Sequence, residues 1–196
     1  WLKFTLPFLM ILVGLPLLAQ KTSTGTVWSN AAHWSPAGVP GATDDVIINT
    51  NMSVDQASVT IGSLTVNASR TLTLSATNTD FDVNGLVNLN GTFSAAASNA
   101  TTFEALGLVT VGAGGIFADD QAGGMNRFSG GITHNNITAN TFRTSSPEFF
   151  GASQSLTGAD EIRFNSTLTI NGNIAVTNNL SHASGLLIVG NLDGVG

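Results

Sequence analysis

The sequence predicts an all-β chain folded as a right-handed parallel β-helix, a β-solenoid in which short strands wind into stacked coils. Apolar residues alternate with Thr, Ser or Asn in short runs, as in strands with one buried face. Gly- and Asn-rich breaks separate these runs and suit tight corners. One loose unit also recurs along the chain, which is typical of stacked repeats. With 196 residues, of which 42% are hydrophobic, the chain can fill such a stack.

The first twenty residues predict a secretory signal peptide. Lys3 is their only charged residue, an apolar run extends from Phe4 to Leu18, and Ala19 and Gln20 follow. This run is shorter than the about 20 apolar residues that a membrane span needs. We therefore expect cleavage near residue 20 and no membrane association afterwards, with an uncleaved anchor as the alternative. Because the chain starts with Trp1 and stops inside a pattern, we expect a longer protein.

Residues 21–48 predict an N-terminal cap. Trp28 and Trp34 precede a bend rich in Pro and Gly, and the first clear strand follows. The first coil of a β-helix would otherwise expose its core and an unpaired strand edge. The two indoles can cover that core, while Pro36 and Pro40 cannot extend the edge. The alternative is that Trp28 and Trp34 form a platform that stacks on sugar rings.

Residues 49–196 predict the coils of the β-helix. The recurring unit is an apolar-x-apolar run, then Asn or Gly, then a second apolar run, as in residues 81–87, 109–116 and 168–174. At roughly 20–25 residues per coil, about six coils and a cap fit the mature chain. Asn-Gly pairs also favour hairpins, so an antiparallel β-sandwich is the alternative fold. The Ala-rich segment 94–106 could add a turn or two of helix.

The N-terminal pattern also resembles a known group of proteins. It reads Trp28…Trp34-Ser-Pro…Gly38-Val-Pro-Gly41…Asp44-Asp-Val-Ile-Ile48. It is similar to the start of large secreted bacterial β-helical surface proteins, such as autotransporter-like adhesins and Bacteroidetes-type adhesins with a C-terminal sorting domain. The resemblance covers about residues 1–66. It implies a location at the cell surface or outside the cell, and a role in adhesion or matrix structure.

Composition argues against several classes of function. Six scattered Lys and Arg cannot form the basic stripe of a nucleic-acid-binding protein, and the net charge is −6. The absence of Cys excludes disulfides, Cys-ligated metals and thiol nucleophiles. The three His residues lie far apart, and no metal-hydrolase or phosphate-loop motif occurs. We therefore predict a protein that is not an enzyme and that holds no cofactor.

If the chain is nevertheless an enzyme, the catalytic candidates are Asp119, Asp120 and Arg127. They follow a Gly-rich corner and combine acidic and basic groups in one predicted loop. β-Helical polysaccharide lyases and glycosidases use such groups as general acid and base. A second set of candidates is Asp160, Glu161 and Arg163.

Asp80 and Asp82 are the candidates for a metal site. Two residues apart on a strand, they would point to the same face and could bind a cation. Neither this pair nor any other acidic pair has the regular ligand series of a calcium loop. A structural calcium ion is therefore unsupported, and we predict that such acids keep loops soluble.

These observations favour an exported cell-surface or extracellular protein with a structural or adhesive role, as the stalk or passenger portion of a longer chain. Its expected partner is a polysaccharide or another cell surface, because low charge suits neutral contacts. A β-helical polysaccharide lyase or glycosidase is the alternative. A carbohydrate-binding β-sandwich is the second alternative.

Overall fold

The computed structural model describes residues 19–76, 79–95, 101–119, 123–177, 180–182 and 191–194. Residues 1–18, which carry most of the predicted signal peptide, lie outside the described residues, as does Asp120. Strands dominate the described part of the chain, and one short 3₁₀ helix covers Ala31–His33.

The strands are short and closely spaced. The first twelve are β1 (Gln20–Ser23), β2 (Trp34–Ser35), β3 (Asp45–Ile48), β4 (Met52–Val54), β5 (Ser58–Ile61), β6 (Ser63–Val66), β7 (Thr71–Leu74), β8 (Asp80–Val83), β9 (Val87–Leu89), β10 (Thr92–Ala95), β11 (Thr102–Ala105) and β12 (Val109–Val111). The others are β13 (Ile116–Ala118), β14 (Met125–Phe128), β15 (Ile132–His134), β16 (Phe142–Thr144), β17 (Pro147–Phe149), β18 (Ser153–Gly158), β19 (Ile162–Phe164), β20 (Thr169–Ile170), β21 (Asn173–Val176), β22 (Leu180–His182) and β23 (Asn191–Gly194).

These strands form three sheets that run along a solenoid of about seven turns. Sheet A contains β1, β3, β6, β9, β12, β15, β18, β21 and β23, with β2 at its edge; sheet B contains β4, β7, β10, β13, β16, β19 and β22; sheet C contains β5, β8, β11, β14, β17 and β20. From β3 onward each coil adds one strand to each sheet in turn. The predicted parallel β-solenoid is therefore confirmed.

The antiparallel β-sandwich alternative is wrong. From β3 onward, strands that follow one another along the chain enter different sheets, so the Asn-Gly corners do not close hairpins. Among the paired strands of the described residues, only β1 and β2 run antiparallel. A corner that turns the chain into the next sheet needs the same left-handed backbone conformations as a hairpin, which is why the two patterns look alike in sequence.

The number of residues per coil varies more than the number of residues per strand. In sheet A, Val46 pairs with Leu64, Leu64 with Val87, and Val87 with Val109, so these coils are 18, 23 and 22 residues apart. The strands keep three or four residues through these coils, and the corners absorb the differences. The segment 94–106 belongs to this pattern: its described residues lie in β10 and β11, so the helical turn expected there is wrong for them.

The interior is apolar and rich in Phe. Strand side chains alternate between buried and half-buried positions, which leaves one face of each sheet inside the solenoid. Phe93, Phe117 and Phe142 occupy successive coils of sheet B and stack with ring centroids 5.1 and 4.9 Å apart. Such pairs add about 0.5–1.5 kcal/mol beyond their buried area. The buried phenylalanines are Phe81, Phe93, Phe103, Phe117, Phe128, Phe142, Phe149 and Phe164.

Glycines form a column at the corner between sheets C and A. A Cβ atom on Gly107 would lie 2.3 Å from the carbonyl oxygen of Gly85, and one on Gly130 would lie 2.5 Å from that of Gly107. The corner backbones of successive coils are therefore too close for any side chain. The members of this column are Gly62, Gly85, Gly107, Gly130, Gly151 and Gly172.

The N-terminal segment closes the front of the solenoid. Trp28 and Trp34 are buried and meet edge to face, with ring centroids 4.8 Å apart, and Trp28 also contacts Phe81 at 5.5 Å. Because neither indole offers an exposed face, the sugar-stacking alternative does not fit this structure. Two strands that the sequence assigned to the cap, β1 and β3, already pair in parallel within sheet A.

Candidate functional site

A row of polar side chains crosses the outer face of sheet C. Thr60, Asp82, Glu104, Arg127 and Glu148 stand in register on successive strands from β5 to β17. Each of these residues alternates with buried residues along its strand, so all five side chains point away from the core. We call these five residues the acidic row.

Arg127 lies between two carboxylates of this row. Its Nε donates a hydrogen bond of 2.8 Å to Glu148 Oε2, and one of its terminal nitrogens donates to Glu104 Oε2. The hydrogen bond that Arg127 donates to Glu148 raises the pKa of Arg127 further above its usual value. The charge of Glu104 acts in the same direction, and partial burial acts against it. The guanidinium carbon also lies 4.4 Å from the centroid of the Phe150 ring.

Asp82 is the member of the acidic row whose ionisation is disfavoured. Burial raises its pKa, and the negative charges of Asp80 and Glu104 raise it further. A 3.5 Å hydrogen bond from Thr60 and the charge of Arg127 act in the opposite direction but do not cancel the effect. Ionised Asp82 is therefore disfavoured in the folded chain relative to a solvated aspartate.

Asp80 and Asp82 lie on the same outer face of β8, as their spacing requires. Asp80 is exposed and Asp82 is half-buried. Within the described ranges, no group of three or more His, Cys, Asp or Glu side chains is arranged to hold a metal ion. The pair thus lacks the additional protein ligands that a calcium site uses.

The predicted catalytic set does not form one cluster. Asp119 is buried, and Asn126 Nδ2 donates a hydrogen bond to its carboxylate. Arg127 is the next residue of β14 and therefore points outward, into the acidic row. Asp119 and Arg127 consequently lie on opposite sides of sheet C, and Asp120 is outside the described residues.

The second predicted set is also divided between elements. The Asp160 carbonyl lies 3.3 Å from Nδ1 of the buried His134, at a corner after sheet A. Arg163 belongs to β19 of sheet B, in register with Arg143, and donates a hydrogen bond of 2.6 Å to Asn140 Oδ1. Asp160 Oδ2 is buried without a hydrogen-bond partner among the described residues, so this oxygen does not pair with Arg163 although the two residues are only three apart.

Sequence reasoning missed Glu104 and Glu148, the two partners of Arg127. They lie 23 residues before and 21 residues after it, one coil away in each direction. Each sits between two buried residues, in Phe103-Glu-Ala105 and Pro147-Glu-Phe149. A charged residue at the outward position of such a run, repeated at the coil length, is the signal that could have found them.

An open depression lies on the outer face of sheet B near its first strand. Its volume is about 460 Å³, and its lining contains no charged side chain. We call it the sheet B depression; its lining residues are Thr26, Asn51, Met52, Ser53, Thr71 and Thr73. Sequence reasoning singled out none of them as a site.

The chain matches no known family model, no curated protein and no solved structure at a significant level. Among the residues that the structure describes, no helix is long and apolar enough to span a bilayer.

Proposed function

We propose that this protein is exported and acts at the cell surface or outside the cell, as a structural or adhesive element within a longer chain. The observation that carries the proposal is the continuous parallel solenoid with largely neutral outer faces. A stack of coils holds a long surface in a fixed geometry without disulfides.

The outer face of sheet A supports this role. One rank of neutral side chains runs along successive coils, formed in order by Thr65, Asn88, Thr110, Thr133 and Thr157. Strands in a sheet repeat at about 4.7–4.9 Å, so these groups are presented at regular intervals. A rigid neutral surface of this kind suits contacts with uncharged surfaces, where desolvating charges would be costly.

The sequence at the front of the chain supports export. Its basic start, short apolar run and small residue before the polar switch are those of a secretory signal. The resemblance of residues 1–66 to large secreted bacterial β-helical surface proteins points to the same location. Of the two signals, the apolar run is the easier to test.

Export is tested with a fusion of residues 1–40 to a phosphatase that becomes active only outside the cytoplasm. We expect phosphatase activity from the fusion, and its loss when Leu12→Arg interrupts the apolar run. Surface location is tested by protease treatment of intact producing cells, with a cytoplasmic protein as control. Protection of the chain until the cells are lysed, together with an inactive fusion, would overturn the proposal.

A β-helical polysaccharide lyase or glycosidase is a second candidate, favoured by one observation. The acidic row brings three carboxylates and one arginine to a single sheet face. In this arrangement Arg127 is bonded to Glu104 and Glu148, and Asn171 Nδ2 donates a 2.7 Å hydrogen bond to Glu148. These mutual bonds occupy the groups that catalysis would require, so we rank the enzyme second.

The enzyme candidate is tested by incubating the purified chain with polygalacturonate, alginate and xylan. A lyase produces unsaturated sugar ends that absorb ultraviolet light, and a glycosidase produces reducing ends. If either activity appears, Glu104→Gln should abolish it while leaving the fold intact. Activity that persists in Glu104→Gln would exclude the acidic row as its source.

A further inference from the structure

The sheet B depression spans the first coils of the solenoid. Ser53 of β4 stands in register with Thr73 of β7, and the Asn51 side chain contacts the backbone of Thr71. The parallel bridge between Val27 and Ser53 brings Thr26 to the other side of Ser53. The depression is therefore lined by residues on three successive turns of the chain, and four of them lie in strands β4 and β7.

Several hydroxyl groups in the depression have no hydrogen-bond partner in the described part of the protein. Within the described residues, the hydroxyls of Thr26, Thr71 and Thr73 form no hydrogen bond with the protein. The Ser53 hydroxyl is the exception in this lining, because it lies 2.5 Å from the Ser75 hydroxyl. The depression thus concentrates donors and acceptors that are available to a ligand.

The Asn51 side chain is held in place at one side of the depression. Its Oδ1 accepts a hydrogen bond of 3.1 Å from the backbone nitrogen of Thr71, which leaves the Nδ2 group for other partners. The branched side chains of Thr71 and Thr73 are stiff about χ1. A ligand would therefore meet groups that are already oriented, which lowers the entropic cost of binding.

The chemistry of the lining selects the class of ligand. No cation is present to bind carboxylate, sulfate or phosphate groups, and no anion to bind an ammonium group. Met52 is buried, the polar atoms of the lining are hydroxyl and amide groups, and carbon atoms make up the larger part of its accessible surface. The volume of about 460 Å³ falls within the range of small-molecule sites. An uncharged molecule that presents both hydroxyl groups and C–H faces, as a sugar ring does, matches these properties.

We propose that the sheet B depression binds an uncharged saccharide, as a short stretch of a neutral glycan chain. The hydroxyls of Thr26, Thr71 and Thr73 and the amide of Asn51 would exchange hydrogen bonds with sugar hydroxyls. The row continues in register from Thr71 and Thr73 to Thr92 and Ser94 of the next coil, which favours a chain along the solenoid axis over a single sugar. This inference rests on the proposed adhesive role and gives it a ligand class.

The test is an NMR titration of the purified 196-residue chain. The probes are glucose, cellotetraose, mannotetraose and acidic tetragalacturonate, each added to about 10 mM, above the Kd expected of weak sugar sites. We expect at least one neutral tetrasaccharide to shift the amide signals of residues 51–54 and 71–74, with a lower Kd than glucose.

Matched substitutions locate the site. Thr71→Val combined with Thr73→Val removes two hydroxyls while keeping branched side chains suited to strands, and should raise the Kd at least tenfold. Thr102→Val combined with Thr169→Val removes two outward hydroxyls from sheet C and should leave the Kd unchanged. Thermal unfolding of both double variants checks that the fold is kept.

Four outcomes would overturn the inference. They are the absence of any shift with the neutral tetrasaccharides, equal binding by the Thr71 and Thr73 variant, tighter binding of tetragalacturonate at the same amides, and equal binding of glucose, which would indicate a free-sugar site. These results are separate from the proposed function. A cytoplasmic location would overturn the proposed function without changing the titration. Adhesion in the absence of sugar binding would overturn the saccharide inference and leave the proposed function intact.

Discussion

Individual residues in this chain are fixed by how closely successive coils approach one another. At Gly107 the neighbouring backbone of Gly85 occupies the space that a side chain would need. At Gly114 the nearest atom to an added Cβ is the Asn90 carbonyl oxygen, at 3.5 Å, which is an ordinary contact. The same residue type is therefore required at one corner and optional at another.

This difference gives a paired prediction. Gly107→Ala should lower the free energy of unfolding by about 1–3 kcal/mol, because the backbone of the corner must shift. Gly114→Ala should be neutral or stabilising by up to about 1 kcal/mol, because alanine restricts the unfolded chain. Urea unfolding of both variants measures the effects, and equal effects would contradict the glycine column.

The two tryptophans of the cap differ in one hydrogen bond. Trp34 Nε1 donates to the Trp28 carbonyl oxygen at 2.9 Å, whereas Trp28 Nε1 is buried without a hydrogen-bond partner among the described residues. Trp34→Phe should therefore cost about 1 kcal/mol more than Trp28→Phe, since similar volume is lost in each case. Urea unfolding compares the two variants, and a greater cost for Trp28→Phe would show that packing outweighs this bond.

At the scale of the strands, sheet C is stabilised by complementary charge across coils. Arg127→Gln would leave Glu104 and Glu148 without their shared cation, next to Asp82 in the same row. We expect a loss of about 1–2 kcal/mol at low salt, because these groups are only partly exposed. The loss should shrink in 1 M salt.

Arg70→Gln is the control for Arg127→Gln. Arg70 is exposed at a corner, and removing its charge should change the free energy of unfolding little. Urea unfolding at both salt concentrations measures the two variants. Equal losses would show that the effect of Arg127 comes from net charge rather than from its two hydrogen-bonded partners.

Asp82 predicts a pH dependence of opposite sign to that of Asp55. The pKa of Asp82 is raised in the folded chain, chiefly by burial, so stability is lost as the pH rises through that pKa. Asp82→Asn should therefore stabilise the chain at pH 7, by less than about 1 kcal/mol given solvent screening. The gain should vanish below about pH 4, the usual aspartate pKa, where Asp82 is protonated in both states.

Asp55 provides the contrast. Burial opposes its ionisation, but hydrogen bonds from the Ser29 hydroxyl and amide outweigh burial and lower the pKa of Asp55. Its contribution to stability is present above the unfolded pKa and is lost as the pH falls through the folded one. Asp55→Asn should thus destabilise at pH 7, and urea unfolding at pH 7 and pH 3.5 distinguishes the two aspartates.

At the scale of the strands, the sequence predicted the strands themselves better than it predicted which residues of adjacent coils contact each other. Alternation in Leu64-Thr-Val66 is local, so β6 and its burial follow from the sequence alone. The contact between Glu104 and Arg127 depends on a coil length that varies with irregular corners, and local patterns do not record that length. Asn126 is the harder case: it is inward-facing in register with Phe103, where a polar residue breaks the apolar pattern.

At the scale of the whole molecule, the described strands of each coil from β3 onward pair with strands of the coils before and after it. Stability is then a sum of coil and interface contributions, so one complete coil should be removable. Deleting residues 87–108 joins Leu86 to Val109, which normally pairs with Val87, and brings Arg127 beside Asp82. We expect a folded chain of lower thermal stability, with the same circular dichroism spectrum per residue.

A half-coil deletion is the control for this experiment. Removing residues 87–97 shifts every later strand to a different sheet. The inward and outward side chains of these strands then no longer match those of the preceding coil. This variant should fail to fold cooperatively. If both deletions unfold alike, the coils do not act as separable units.

The antiparallel pairing of β2 with β1 has a consequence for self-association. A parallel solenoid can in principle template the addition of another copy at each open rim, as a growing fibril does. At the front rim an incoming chain meets a two-residue strand of reversed polarity, followed directly by Pro36, whose nitrogen cannot donate a hydrogen bond. Another copy of the chain therefore cannot extend sheet A in parallel at the front rim.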